Sequence, residues 1–244
     1  MTLATTKAIA LSGINGELVT VEVDIADGIP GFTLLGLPDA ALSESRDRVR
    51  AALVNSLQPW PNRKVTIALL PAWLPKAGSG FDLPIAMCLL GAQGVVQGVE
   101  ELLFVGELSL DGSLRHTRGV LPSLICAFRN GIRKVVIPKA NLAEAKLLPE
   151  LEVLAFDALK DVVHWMQTGE ITEQSEFDLE LKINEKSLDF SDVAGQRAAR
   201  RAAEISAAGA HNFLMIGPPG VGKTMIAERL PTILPPLGKE ETLE

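Results

Sequence analysis

The sequence has no tyrosine, only two cysteines and three histidines, and no apolar run long enough to cross a bilayer. Each absence removes a class of protein. Cys88 and Cys126 both lie in apolar helical patterns. They offer neither a disulfide framework nor a zinc or redox spacing, and are expected as buried free thiols in a reducing compartment. His116, His164 and His211 are scattered and form no ligand cluster. Met1 to Ala10 carries one lysine and alternates in polarity, unlike a signal peptide, so no membrane association and a cytoplasmic location are expected. A basic excess is also missing. Lysine and arginine number 23 against 30 aspartates and glutamates, a net charge of −7, unlike a simple nucleic-acid binder. That balance leaves room for a DNA motor that carries its contacts elsewhere. What is abundant is apolar side chain, 47% of 244 residues, enough for one large domain or two smaller ones.

The acidity is concentrated. Residues 169–187 hold six carboxylates and two lysines with little apolar periodicity, and separate two apolar regions. This stretch reads as an acidic linker. The chain is therefore divided into a domain over 1–168, a linker over 169–187 and the start of a second domain over 188–244.

The first domain reads as α/β. Lys7–Leu11 and Leu18–Ile25 are expected as hairpin-like strands around a Gly13–Gly16 turn, the second with period-two alternation at Val19, Val21, Val23 and Ile25. Further strands are expected at 32–37, 65–70, 103–110, 135–137 and 153–156. Helices are expected from Pro38-Asp39 to about Leu57, from an Asp82 cap to about Gln93, at 119–130 ended by Gly131, at 141–148 and at 159–167. Asp111-Gly112 is a turn. Arg46, Arg48 and Arg50, interspersed with acid, read as a solvated helix face, and Arg197, Arg200 and Arg201 as salt-bridging residues. Trp60, Trp73 and Trp165 lack basic interleaving and read as core or domain-edge packing.

One motif carries chemistry. Gly217-Pro218-Pro219-Gly220-Val221-Gly222-Lys223-Thr224 fits G-x-x-x-x-G-K-[ST], the P-loop or Walker A pattern. The apolar run Asn212–Ile216 before it reads as a buried strand, and Lys223–Leu230 as a helix that Pro231 ends. Three glycines permit tight backbone geometry, so that successive N–H groups and the helix N-terminus face phosphates. Lys223 is expected on the β- and γ-phosphates of ATP, and the Thr224 hydroxyl on Mg²⁺, with Met225 following in the same segment.

Other segments carry a resemblance. Gly106–Arg115, Gly119, Gly131–Pro138 and the loop Leu74–Ala86 resemble the Lon-type α/β domain, whose proteases use a serine–lysine dyad. Gly80 stands where that serine would be and Leu121 where the lysine would be, so the protease dyad is absent. Ser79 and Lys76 lie nearby in the loop, and peptide cleavage lost on Ser79→Ala would revive a rearranged dyad. A structural or binding role is expected for loop 75–82. The same segments, with Phe190–Gln196 and Gly209–Asn212, resemble more closely the magnesium-chelatase-like ATPases of the YifB/ComM competence family. The loop Ser79–Pro84 combined with Asp192–Gln196 is the specific part of this match; the P-loop alone is not.

This resemblance implies a Lon-like (ChlI-like) two-layer α/β domain followed by the start of an AAA+ module. It places the stretch Asp192–Gln196 beside the adenine, with Asp192, Val193 and Gly195 as nucleotide-binding residues. It implies that the full-length protein assembles with itself into a ring, a hexamer, with ATP at subunit boundaries. For the full-length protein it implies a helicase-like motor on branched or single-stranded DNA, linked to natural transformation. No acidic metal-and-water strand (Walker B), sensor or arginine finger follows within the sequence. The expectation for this chain is a fragment that binds nucleotide with no catalytic residue of its own. Two alternatives stand beside it: an ATPase subunit related to magnesium chelatase, and a non-catalytic adaptor or oligomerisation module.

Overall fold

The structure, a computed structural model, describes residues 2–171, 188–236 and 238. The chain divides into two compact units, Met1–Phe177 and Asp178–Glu244. Most of the expected linker, from residue 172 onward, and the last residues of the charged tail lie outside the described residues.

The first unit is a seven-stranded mixed sheet with helices. Its strands are β1 (Thr2–Ser12), β2 (Asn15–Ala26), β3 (Gly31–Leu35), β4 (Lys64–Leu70), β5 (Leu103–Phe104), β8 (Lys134–Pro138) and β9 (Glu152–Phe156), in the order β3-β4-β2-β1-β5-β8-β9. A small separate ribbon pairs β6 (Glu107–Leu108) with β7 (Leu114–Arg115). The pairs β1–β2 and β2–β4 are antiparallel, and the other four in the large sheet are parallel. The helices are α1 (Ala40–Ser43), α2 (Ser45–Asn55), α3 (Asp82–Ala92), α4 (Val120–Arg129), α5 (Leu142–Ala145) and α6 (Leu159–Thr168).

The hairpin follows its sequence pattern. Val19, Val21, Val23 and Ile25 are all buried, whereas the alternate residues from Leu18 to Asp24 remain partly exposed. One face of β2 is thereby committed to the core, where α3 packs on β1 and β2. Each aliphatic side chain so removed from water is worth roughly 1.5–3 kcal/mol. The α3 helix is buried along nearly its whole length, and α6 joins the same core through Leu159, Val162 and Val163. On the opposite face α4 approaches so closely that a Cβ on Gly16 would stand 2.7 Å from that of Cys126. Both cysteines are buried and free.

Several local expectations are corrected. The helix expected over 38–57 is two helices, broken at Glu44. Asp39 caps the first by accepting from the Leu42 N–H at 2.7 Å. The strand expected over 103–110 splits, because Gly106 turns out of the sheet. Its N–H donates to the Gly80 carbonyl at 3.1 Å, and its carbonyl accepts from the Leu83 N–H at 3.0 Å. Asp82 is not a cap: its carboxylate turns inward, wholly buried, and meets Arg48, with Nε–Oδ2 at 2.8 Å and Nη2–Oδ1 at 3.0 Å. Arg48 is accordingly no solvated face residue. A buried carboxylate demands such a partner, since desolvation otherwise forces it neutral. Trp60 stacks on Phe32 and Trp165 lies against Phe156, but Trp73 is 69% exposed and packs no core.

The second unit, as described, contains α7 (Arg197–Gly209), α8 (Lys223–Arg229) and two short 3-10 turns. Its core is Phe190, Val193, Ala203 and Ile226, with Phe213 and Met215 packed against it. Asn212–Ile216 is not a strand, because no ladder partner exists for it among the described residues. It still alternates: Phe213 and Met215 are half-buried, while Leu214 and Ile216 are 80% and 89% exposed.

Candidate functional site

The second unit assembles around the G-x-x-x-x-G-K-T loop. Before it, Asp189 and Asp192 form a reciprocal capping box: Asp189 accepts from the Ser191 N–H at 2.7 Å, and Asp192 from the Asp189 N–H at 3.2 Å. This turn buries Phe190 and Val193. Gly195 (φ 71°) and Gln196 (φ 49°) then take left-handed backbone and start α7. Ala203, Ser206 and Ala207 fall on one face of α7 at helical spacing and are its buried residues. Arg200 donates to the Val193 carbonyl at 3.1 Å and lies over the Phe190 ring, and Arg201 pairs with Glu204 at 3.4 Å.

The loop itself is open. Gly217, Pro218, Pro219, Gly220 and Val221 are exposed. Gly220 and Gly222 both have φ of 85°, which disfavours any side chain there. Lys223 folds back over the loop, its Nζ donating at 2.8 Å to the carbonyls of both Gly217 and Pro218. Among the described residues no carboxylate pairs with this ammonium. The Thr224 side chain beside it is exposed, and its hydroxyl has no hydrogen-bond partner among the described residues. Met225 packs instead against the core of this unit. Next to the loop is a cavity of about 280 Å³, with Gln196, Ala199, Phe213, Met215, Val221 and Lys223 in its wall.

The residues expected to act together are thus partly gathered. Positions 217–224 are one contiguous loop and helix start, with Val221 and Lys223 in the cavity wall and Thr224 exposed. Asp192, Val193 and Gly195 do not line the cavity. The Asp192 carboxylate is engaged in its turn and stands 3.7 Å from Arg229 Nε, and the Val193 side chain is fully buried. Gln196, expected with its neighbours beside the adenine, does line the cavity, and its tie to the loop is what the sequence did not announce. Its side-chain N–H donates to the Val221 carbonyl at 3.0 Å, a contact across 25 positions that no local spacing announces.

The first unit has a separate cleft of about 340 Å³ between loop 77–81, Glu107 and residues 116–118. Lys76 is wholly buried beneath this loop, donating to the carbonyls of Leu69, at 2.9 Å, and Pro71. Burial pushes its ammonium below the usual lysine range. The Ser79 hydroxyl donates to Glu107, not to Lys76. Position 80 is glycine, and Leu121 offers only its backbone N–H, which Glu144 accepts at 3.3 Å. A serine–lysine dyad is therefore not assembled here. Among the described residues no group of three histidine, cysteine or carboxylate side chains could hold a metal ion, and no helix is long and apolar enough to cross a membrane.

The two units define a mixed-sheet α/β domain followed in the same chain by a P-loop. Comparison with known proteins agrees with that pairing. The family described as Subunit ChlI of Mg-chelatase matches residues 21–141, and that described as Magnesium chelatase, subunit ChlI matches residues 189–244. The uncharacterized protein YifB of Escherichia coli is 42% identical over 246 residues, which cover 100% of this chain and 48% of YifB. The competence protein ComM of Haemophilus influenzae is 40% identical over 250 residues, covering 100% of this chain and 49% of ComM. A Lon protease of Treponema pallidum is 25% identical over 156 residues, 61% of this chain and 18% of the protease. The chain belongs to the magnesium-chelatase ChlI family, among its YifB- and ComM-like members. It spans about half the length of the curated relatives it matches.

Proposed function

We propose that the second unit binds ATP with Mg²⁺ at Gly217–Thr224, and that the whole protein is a ring-forming, cytoplasmic ATPase that remodels DNA. The observation that carries the reading is Lys223. Its ammonium is held by two neutral carbonyls of its own loop and by no carboxylate among the described residues. An ammonium so placed lacks a counter-charge among the described residues, and the exposed loop gives phosphate oxygens direct access to it. Lys223 would exchange the Gly217 and Pro218 carbonyls for β- and γ-phosphate oxygens, and the free Thr224 hydroxyl would ligate Mg²⁺. Bound Mg²⁺ would neutralise phosphate charge. The apolar walls of the neighbouring cavity, Ala199, Phe213, Met215 and Val221, suit a flat base. No residue of the described units is assigned a hydrolytic role.

The DNA-remodelling part rests on relatedness to the competence protein ComM. Its test is ATP hydrolysis by the full-length gene product, with and without branched DNA, and with Lys223→Ala as control. Stimulation by branched DNA that vanishes in the control is expected. Hydrolysis indifferent to DNA would contradict the DNA role and favour a chelatase-type subunit.

A further inference from the structure

We infer that Gln196 is a positioning residue that holds the end of the phosphate loop in its ligand-binding shape. The inference rests on the nucleotide-binding reading of Gly217–Thr224. The loop has two anchors in this structure. Lys223 ties its beginning, through the carbonyls of Gly217 and Pro218 at 2.8 Å. Gln196 ties its end, donating from Nε2 to the Val221 carbonyl at 3.0 Å. The same nitrogen lies 3.9 Å from where a Cβ on Gly222 would stand, so the amide sits directly against the last turn of the loop. Gln196 itself is fixed from behind: its backbone is left-handed, and its carbonyl accepts from the Arg200 N–H at 2.9 Å in the first turn of α7.

The two anchors respond differently to a ligand. Phosphate oxygens compete for the Lys223 ammonium, so binding releases the first anchor. The Gln196 amide meets a backbone carbonyl that no phosphate displaces, so the second anchor persists. Once Lys223 has swung to the ligand, Gln196 is the side chain that keeps residues 221 and 222 drawn toward α7. A polyphosphate, with or without a base attached, then meets a loop whose end is already ordered.

The test compares MgATP and magnesium tripolyphosphate binding to the intact chain by calorimetry, in wild type, Gln196→Ala and Lys223→Ala. Gln196→Ala is expected to weaken both ligands by the same factor, roughly tenfold, the loss of one well-placed hydrogen bond. Unchanged affinities would overturn the inference. Loss of ATP binding with tripolyphosphate binding retained would also overturn it, because Gln196 would then read the base. Gln196→Glu, which replaces the donor by a charged acceptor, is expected to be no better than alanine. Amide hydrogen exchange in the ligand-free chain tests the anchor independently of any nucleotide. Gln196→Ala should speed exchange at Gly220–Lys223 while leaving the middle of α7 unchanged, and unaltered exchange at the loop would overturn the inference. Faster loop exchange in a chain that binds neither ligand would sink the nucleotide reading and leave the anchor standing.

Discussion

Replacing Arg48 with methionine leaves the Asp82 carboxylate buried without its ion partner. In the native unit burial pushes the Asp82 carboxyl from 3.8 up to about 6, against the pull of the Arg48 hydrogen bonds and charge. The folded value lies above the unfolded one, so the folded state holds the proton more tightly. The stability this proton confers is fully present below about pH 3.8 and is lost as the pH rises through about 6. Ionisation at neutral pH therefore already costs about 3 kcal/mol, from just over two pKa units at about 1.4 kcal/mol each. Removing Arg48 removes the two largest opposing influences and moves the upper edge of that window toward neutrality. Arg48→Met is expected to destabilise the first unit by about 3–5 kcal/mol at pH 7.5. Most of that loss should return at pH 5, where Asp82 is protonated. Urea unfolding followed by tryptophan fluorescence reads this directly, since Trp60, Trp73 and Trp165 all lie in the first unit. The companion double variant, Arg48→Met with Asp82→Leu, should recover much of the loss at pH 7.5, because no charge then remains inside. A loss below about 1 kcal/mol, or one equal at both pH values, would refute the argument that Asp82 needs Arg48.

Three further outcomes follow from local geometry. Gly36→Ala should destabilise the first unit by more than about 3 kcal/mol in the same unfolding assay, because the new Cβ would stand 2.2 Å from the Leu69 carbonyl oxygen at a φ of +106°. Leu57→Gly should do the reverse and stabilise by about 1 kcal/mol: Leu57 has φ of 57° just past the end of α2 and is 92% exposed, so glycine relieves strain without losing packing. Thr224→Val should weaken ATP binding roughly tenfold in the presence of Mg²⁺ and leave it unchanged in chelator, as calorimetry would show, since only the metal contact is removed.

Much of the first unit was legible because its signals are local and repetitive. Alternation at Val19–Ile25 gives β2 its buried face, Gly131 closes α4 with positive φ, and the order of strands and helices marks an α/β domain. The failures share a physical cause, which is that the deciding contact is distant in sequence. Asp82 looks like a helix cap until Arg48, 34 positions earlier, is brought beside it. Leu103–Leu110 looks like one strand until Gly106 bonds to Gly80. Asn212–Ile216 has the composition of a buried strand, but a strand needs a neighbour to bond to, and its outward side chains Leu214 and Ile216 remain exposed. At the candidate site the contiguous motif Gly217–Thr224 was visible at once. The contact that Gln196 makes with this loop was not, because its hydrogen bond to Val221 spans a whole helix and an extended segment.

The central claim is that the second unit is a nucleotide site built on Lys223. Titrating MgATP into the intact chain and into Lys223→Ala, with matched unfolding curves to confirm equal folding, tests it most directly. The account expects saturable binding by the native chain and a loss of at least about a hundredfold in the variant, since the ammonium makes a charge-assisted contact that the loop's amides alone do not replace. Equal affinity in the two proteins, or no binding by the natively folded chain, would contradict it.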